Sequence, residues 1–333
     1  MSATGKKQVG LVGARGYVGQ ELIRLLAPHP GFEVAFASSR ALAGQRLEGC
    51  ACSFENLDAE AVAYRSADIL VLALPNDLSA PFVDAVHAKR PETIIIDLSG
   101  DHRFDGDWVY GLPELACSNE ASPCLGVELG LSQDFGRSSI KTATRIANPG
   151  CYATAMMLAL WPMRDRIGGT PSCFGVSGYS GAGTSPSRKN DLAILKDNLI
   201  PYALKGHLHE KEVGRHLGHP ISFSPHVAAF FRGLSVTTHI PLASHMTMAQ
   251  VMTDYEAAYR GEKFVNLNFD APPEISCVRN THMAQVGGLT LAEDGMSLAV
   301  VSVIDNLLKG AASQALQNMN LACGYLEGTG LEN

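Results

Sequence analysis

The stretch QVGLVGARGYVGQELIRLL, Gln8 to Leu26, constrains the fold more than any other part of the chain. Gln8 to Val12 predicts a short apolar strand, and Tyr17 to Leu26 carries its apolar residues at helical spacing. Between them lie Gly10, Gly13, Gly16 and Gly19. Glycine lets a chain turn tightly and lets its backbone approach a pyrophosphate, whose charge the N–H groups of the following helix then hold. A glycine pattern alone is weak, but here it leaves a strand and opens a helix, the context that dinucleotide binding requires. Gly13, Arg15, Gly16, Tyr17 and Val18 are therefore candidate cofactor-binding residues.

Further strands are expected at Glu33 to Ala37, at Ile69 to Leu74 (ILVLAL) and at Thr93 to Asp97 (TIIID), with helix-like segments between them. Strands alternating with helices imply a doubly wound parallel sheet of Rossmann type. After about residue 145 the texture changes to longer loops, such as SGYSGAGTSPSRK, and to candidate strands at Ser222 to Phe223, Gly233 to Ile240 and Met296 to Val303. Threonine- and valine-rich runs such as LSVTTHI favour a largely antiparallel sheet in an α+β domain. Asn306 to Leu326 is expected to be helical and to fold back on the first domain. The fold class is thus α/β, with a dinucleotide-binding domain over residues 1–147 plus 306–333 and a second, α+β domain over 148–305; 333 residues exceed the usual single core.

Net charge is −7 and the 26 basic residues form no run, which argues against a nucleic-acid or anionic-membrane partner. The N-terminus runs from two lysines straight into a strand, without a signal-peptide core, and a cytoplasmic location is expected. Eight cysteines without such a signal fit reduced thiols, and neither Cys50/Cys52 nor Cys117/Cys124 has paired zinc spacing.

The second strand ends in ASSR, where an NAD-binding protein usually places a carboxylate against the ribose hydroxyls. Ser38, Ser39 and Arg40 instead offer hydroxyls and a guanidinium, a set suited to the 2′-phosphate of NADP, although a solvated turn would look the same. Cys151 follows Asn148-Pro149-Gly150 and precedes an apolar helix-like run toward Trp161, with Thr142 to Ala147 as the incoming strand. Helix-terminal N–H groups favour a thiolate, so this thiol is the candidate nucleophile; a buried structural cysteine at a turn is the alternative.

NPGCYAT, GLVGARGYVG, LALPNDLS, DLSGDHRF, YGLPEL, SGYSGAG and IDNLLKGAASQA together resemble the N-acetyl-gamma-glutamyl-phosphate reductase family, from about residue 8 to about residue 320. Aspartate-semialdehyde dehydrogenase is a more distant relative with the same thiol logic. The resemblance implies NADPH-dependent reduction of an acyl phosphate through a thioacyl enzyme on Cys151, within arginine biosynthesis. It also implies substrate contacts at Arg103, Asn148, Ser177, His209 and Glu212, and cofactor contacts at Pro75, Ser180, Gly181 and Asn306. For Arg103 an ion pair with Asp101 or Asp105 is the alternative, for Ser177, Ser180 and Gly181 a glycine-rich interdomain turn, and for Asn306 a helix N-cap. Two departures stand out: Asn76 replaces a common histidine, and Gly100 and His102 replace the more usual Ala and Phe.

GHLHEKEVGRHLGH concentrates four histidines, yet HEKEV is not HExxH and the lone HxH lacks a third ligand at motif spacing, so no metal is expected. A noncatalytic NADP-binding module is the other rival, against which the cofactor loop and the poised thiol argue together. Within the resemblance, His207 is preferred as acid/base because it follows Gly206 in a loop, with His209 and Glu212 orienting substrate; exchange of the two histidine roles stays open. A homo-oligomer is expected from the large second domain.

Overall fold

The computed structural model describes residues 5–115 and 136–332, so Cys117 and Cys124 lie outside the described residues. The described chain divides into two compact units: residues 5–113, 136–149 and 311–332 in the first, and residues 114–115 and Gly150–Gly310 in the second.

The first unit opens with β1 (Lys7–Val12), α1 (Tyr17–Leu26) and β2 (Phe32–Ser38). It continues through β3 (Phe54–Glu55), α2 (Ala59–Tyr64), β4 (Ile69–Leu72), α3 (Ala80–Lys89), β5 (Ile94–Asp97), β6 (Val109–Tyr110), α4 (Arg137–Thr142) and β7 (Arg145–Ala147). The sheet runs β3-β2-β1-β4-β5-β7-β6, with every pairing parallel. Val9, Leu11, Ile69 and Val71 are fully buried, as strands covered on both faces require. The order reverses between β1 and β4, the point at which a doubly wound sheet offers its ligand crevice.

The strand expected from Thr142 begins only at Arg145, because residues 137–142 are helical. Gly136, at φ +113, redirects the chain just before that helix. A short apolar run with β-branched residues cannot be assigned by periodicity alone.

The second unit begins with α5 (Cys151–Leu160), whose residues from Tyr152 to Leu160 are all buried. A helix apolar on every side belongs inside a core, and burying each of its large side chains contributes about 2 kcal/mol. Then come β8 (Ser172–Gly178), α6 (Leu192–Leu195), β9 (Ile200–Pro201), α7 (Leu208–Leu217), β10 (Ser222–Ala228) and β11 (Leu234–Pro241). The unit continues with α8 (Met248–Tyr259), β12 (Val265–Asn268), β13 (Ala284–Leu291) and β14 (Ser297–Ile304).

Its sheet, β12-β13-β14-β11-β8-β10-β9, is mixed: β10 and β8 pair in parallel, as do β12 and β13, and the other pairings are antiparallel. Helix α5 packs on β11 and β14 and is held from α8, where the Tyr255 hydroxyl donates to the Ala159 carbonyl and the Tyr259 hydroxyl to that of Leu158, each at 2.6 Å. The closing segment is not one helix. Leu308–Ala312 form a π-helical turn, and α9 (Ser313–Ala322) follows in the first unit, packed against α1, α4 and β5. No helix among the described residues is long and apolar enough to cross a membrane.

Candidate active site

The glycine turn of the first unit is built for close approach. Gly13 has φ +84, and a Cβ there would run into the Ala73 carbonyl. A Cβ at Gly19 would lie 2.7 Å from the Ala14 Cα, so this glycine lets the start of α1 pack on the turn. Gly16, the N-cap of α1, is different: the nearest heavy atom to a Cβ there is 3.9 Å away, no side chain caps the helix, and its first turn carries no acid. An uncapped helix start beside open space fits a pyrophosphate, and Tyr17 and Val18 flank it half-buried.

At the end of β2 the carbonyl of Ser38 receives the N–H groups of Gly13 and Ala14, at 3.2 and 3.3 Å. The Ser38 hydroxyl is engaged on both sides by Leu57, donating to its carbonyl and accepting from its N–H, each at 3.2 Å. Ser38 thus ties the glycine turn to the neighbouring loop. Ser39 is buried, with its N–H on the Glu55 carbonyl, whereas Arg40, Arg15 and Pro75 are exposed. Arg40 is the group of the three at this strand end with its charge in solvent. Arg40→Ala is expected to weaken NADPH binding by roughly 1.5–3 kcal/mol, about ten- to hundredfold, and to leave NADH binding nearly unchanged. Titration of both cofactors checks this, and equal losses would leave Arg40 as a turn residue.

The loop after β5 is wound on a buried carboxylate. Asp97, fully buried, accepts from the Ser99 N–H at 2.9 Å and its hydroxyl at 2.7 Å, and meets His102 Nδ1 at 2.7 Å. The His102 ring stacks on Trp108, with centroids 4.1 Å apart. Asn76 Oδ1 accepts from the Gly100 N–H at 2.9 Å, so the sequence departures at 76 and 100 meet each other. Asp101 receives the N–H groups of Asp77 and Ser79 and the Ser79 hydroxyl; burial pushes its carboxyl up, but these bonds and nearby His102 hold it below the usual range.

Arg103, only 6% exposed, donates from Nε to the Asn148 carbonyl at 2.9 Å and from Nη2 to the Leu98 carbonyl at 2.8 Å. Asn148 is held in turn: its N–H donates to the Asp97 carbonyl, Nδ2 donates to the Ala311 carbonyl, and Oδ1 accepts from Asn318. Arg103 and Asn148 therefore fix the chain that runs toward Cys151.

In the second unit Cys151 is the first residue of α5, partly exposed and not in a disulfide, with Gly150 as N-cap and no acid in the helix's own first turn. Glu212 on α7, fully buried, accepts the Gly150 N–H at 2.9 Å and so props the turn that carries the thiol. His209 lies three residues before Glu212, on the same helical face, and its ring is 6.2 Å from that of Tyr152.

His207 is the N-cap of α7: its Nδ1 accepts the His209 N–H at 3.1 Å, and its ring is 4.8 Å from that of His209. Burial pushes its pKa below the usual 6.5 and Lys189 adds to this, against the opposing pull of Glu210 and Glu212. Glu210 completes the helix start, accepting from the Gly206 N–H and the Phe223 N–H, each at 3.0 Å.

Ser177, Ser180, Gly181 and Asn306 also come together in this unit. Asn306 Nδ2 donates to Ser180 Oγ at 2.9 Å and its Oδ1 accepts the Gly233 N–H at 2.6 Å; a Cβ at Gly181 would lie 3.1 Å from Ser177 Oγ. Asn306 is not a helix cap, since Asp305 Oδ1 takes the N–H groups of Leu307 and Leu308. Among the described residues no group of three or more His, Cys, Asp or Glu side chains is arranged to hold a metal.

Two side chains near His207 escape the motif reading: Tyr202, its ring 5.7 Å from that of His207, and Lys189, its Nζ 4.6 Å from the Tyr202 ring. Lys189 closes the quoted SGYSGAGTSPSRK loop, and charge at the end of a glycine-rich loop was the available signal.

Residues 8–121 match the family described as semialdehyde dehydrogenase, NAD binding domain, and residues 151–306 match semialdehyde dehydrogenase, dimerisation domain. The chain is 49% identical over 329 residues to an N-acetyl-gamma-glutamyl-phosphate reductase of Stenotrophomonas maltophilia, covering 97% of each. It is 47% identical to one of Xylella fastidiosa, covering 97% of this chain and 94% of the relative. Among solved structures it is similar to aspartate semialdehyde dehydrogenase II of Vibrio cholerae complexed with ASA, with TM-score 0.74, 18% identity, and coverage of 96% and 99%. Aspartate semialdehyde dehydrogenase of Candida albicans with NADP follows the same fold, with TM-score 0.67, 15% identity, and coverage of 95% and 98%.

Proposed function

The chain belongs to the N-acetyl-gamma-glutamyl-phosphate reductase family, and from that premise we propose that Cys151 carries the acyl group during catalysis. The reaction is reduction of N-acetyl-gamma-glutamyl phosphate to N-acetylglutamate 5-semialdehyde with a nicotinamide dinucleotide. The observation that carries the covalent reading is the thiol at the start of α5, behind a backbone turn held by Glu212. Cys151 Sγ attacks the acyl carbon and inorganic phosphate leaves, forming a thioester. A nicotinamide dinucleotide, when bound, would supply the hydride for its reduction. An imidazole then protonates the resulting oxyanion, and cleavage of the C–S bond releases the aldehyde and returns the thiol; in reverse the same group removes the hydroxyl proton.

The cap geometry supports exchanging the two histidine roles. With Nδ1 accepting a main-chain N–H, neutral His207 carries its proton on Nε2, and gaining a second proton would cost the cap bond. His207 is then a hydrogen-bond donor and helix cap, and His209 is the acid/base. Arg103 and Asn148 are assigned to placing the substrate phosphate through the loop they fix, and Ser177, Ser180, Gly181 and Asn306 to contacts with substrate and cofactor.

NADPH is the assigned cofactor, on Arg40 and the lack of a carboxylate at the end of β2. Residues 1–147 plus 306–333 are assigned to the cofactor and 148–305 to catalysis and self-association. The chain is read as a cytoplasmic homo-oligomer serving arginine biosynthesis, with its small-molecule substrate and phosphate as ligands. Phosphate-dependent NADP reduction, assayed side by side with N-acetylglutamate semialdehyde, glutamate semialdehyde and aspartate semialdehyde, tests the substrate. The acetylated compound should be preferred by kcat/KM; preference for either of the others would contradict the reading.

A further inference from the structure

Lys309 is fully buried, and Glu114, 195 residues earlier, is 1% exposed; Lys309 Nζ lies 2.5 Å from Glu114 Oε1. The ammonium is also 5.7 Å from the ring centroid of Phe264, itself 3% exposed. The established chemistry uses neither charge. Taking two ions out of water costs several kcal/mol each, and an apolar pair of similar volume often packs as well or better, so stability is a poor reason for this pair. A buried pair does specify register, because each ion accepts only one place for the other.

The register at stake is that of the π-helical turn Leu308–Ala312, the one such turn among the described residues and the kind of local distortion that accompanies functional sites. Lys309 is its second residue and Gly310 its third. Gly310 lies against the nucleophile: a Cβ there would be 2.7 Å from the Cys151 Cβ and 3.2 Å from its Cα, with Ile304 Cδ1 also at 3.2 Å. The turn is held on its other side by the Gly310 N–H, which donates to the Asp305 carbonyl at 2.9 Å. A one-residue slip would bring the side chain of Lys309 or Ala311 against Cys151 in place of a bare Cα.

We propose that the Glu114–Lys309 pair is a positioning device for the nucleophile, locking the π-turn so that Gly310 seats against Cys151 and limits where its thiol can point. This rests on Cys151 being the nucleophile. Glu114 and Lys309 are positioning residues that touch neither substrate nor cofactor; Gly310 is the contact through which they act.

The test uses the full chain and three variants: Lys309→Met, Lys309→Met combined with Glu114→Gln, and Gly310→Ala. The single charge deletion strands a buried carboxylate and is expected to unfold more readily; the double variant removes both charges and is expected to fold with a melting temperature close to that of the unmodified protein. In the double variant and in Gly310→Ala, kcat should fall roughly ten- to hundredfold, since a displacement of about 1 Å at the reacting atom costs that much. KM for the acyl phosphate and the Kd for NADPH should stay within about twofold, and alkylation of Cys151 by iodoacetamide should change in rate. A folded double variant or Gly310→Ala protein with unmodified kcat and alkylation rate would overturn the proposal. So would a fall confined to KM. If the unmodified protein turned over no acyl phosphate, the functional reading would fail, yet the alkylation comparison would still decide whether the pair positions the thiol.

Discussion

Cys151→Ser is expected to lower turnover by at least about a thousandfold while leaving the Kd for NADPH unchanged, because an alcohol is far less ionised than a thiol at the same helix start. The substitution is nearly isosteric and leaves the first turn of α5 intact, where Thr154 donates to the Gly150 carbonyl through both its N–H, at 2.8 Å, and its hydroxyl, at 3.1 Å. A loss of activity accompanied by loss of cofactor binding would point to misfolding rather than to missing chemistry. Cys173 is the internal contrast. It is buried on β8, burial pushes its thiol up to about 12, and its replacement by alanine should leave kcat unaltered.

The next largest effect concerns the histidine pair. His209→Asn is expected to lower kcat by about a hundred- to ten-thousandfold and to abolish the neutral-range limb of the pH–rate profile, as loss of a general acid/base does. His207→Asn should keep most of kcat, since asparagine is itself a good N-cap and preserves the start of α7.

The sign of the pH effect follows from the lowered pKa of His207. Its contribution to stability is fully present above the ordinary value of 6.5 and is lost as pH falls below that value toward the lower folded pKa, where protonation takes Nδ1 away from the His209 N–H. Thermal melts of the unmodified protein should therefore show an acid-side loss that His207→Asn reduces. If instead His207→Asn removed the titration and His209→Asn retained it, His207 would be the acid/base and its cap bond incidental.

Much of this arrangement was legible in the residues. The helix after the glycine turn spans Tyr17–Leu26 as its spacing predicts, and α5 begins at Cys151, directly after the Asn-Pro-Gly stretch, with Gly150 as its N-cap. These features depend on neighbours within a few positions. What escaped depends on distant partners. Glu212 reads as a substrate contact beside a His-x-His pair; its carboxylate also accepts the Gly150 N–H, 62 residues away, and so supports the thiol turn. Asn306 reads as a cofactor contact with a helix cap as the alternative; Asp305 is the cap, and Asn306 reaches Ser180, 126 residues away.

The closing segment has helical apolar spacing throughout, yet Leu308–Ala312 form a π-turn before α9 starts, with Gly310 against Cys151. Ser38 reads as a cofactor contact from its place at the end of β2; its hydroxyl also bonds Leu57 on both sides, a loop contact that no strand-end motif encodes.

The covalent step is tested most directly by mixing the enzyme with N-acetyl-gamma-glutamyl phosphate in the absence of NADPH. The account predicts rapid release of about one equivalent of inorganic phosphate per subunit, with the acyl group recovered on the peptide carrying Cys151 and turned over when NADPH is added. Release of no phosphate until NADPH is present, or an acyl group on any other residue, would contradict it.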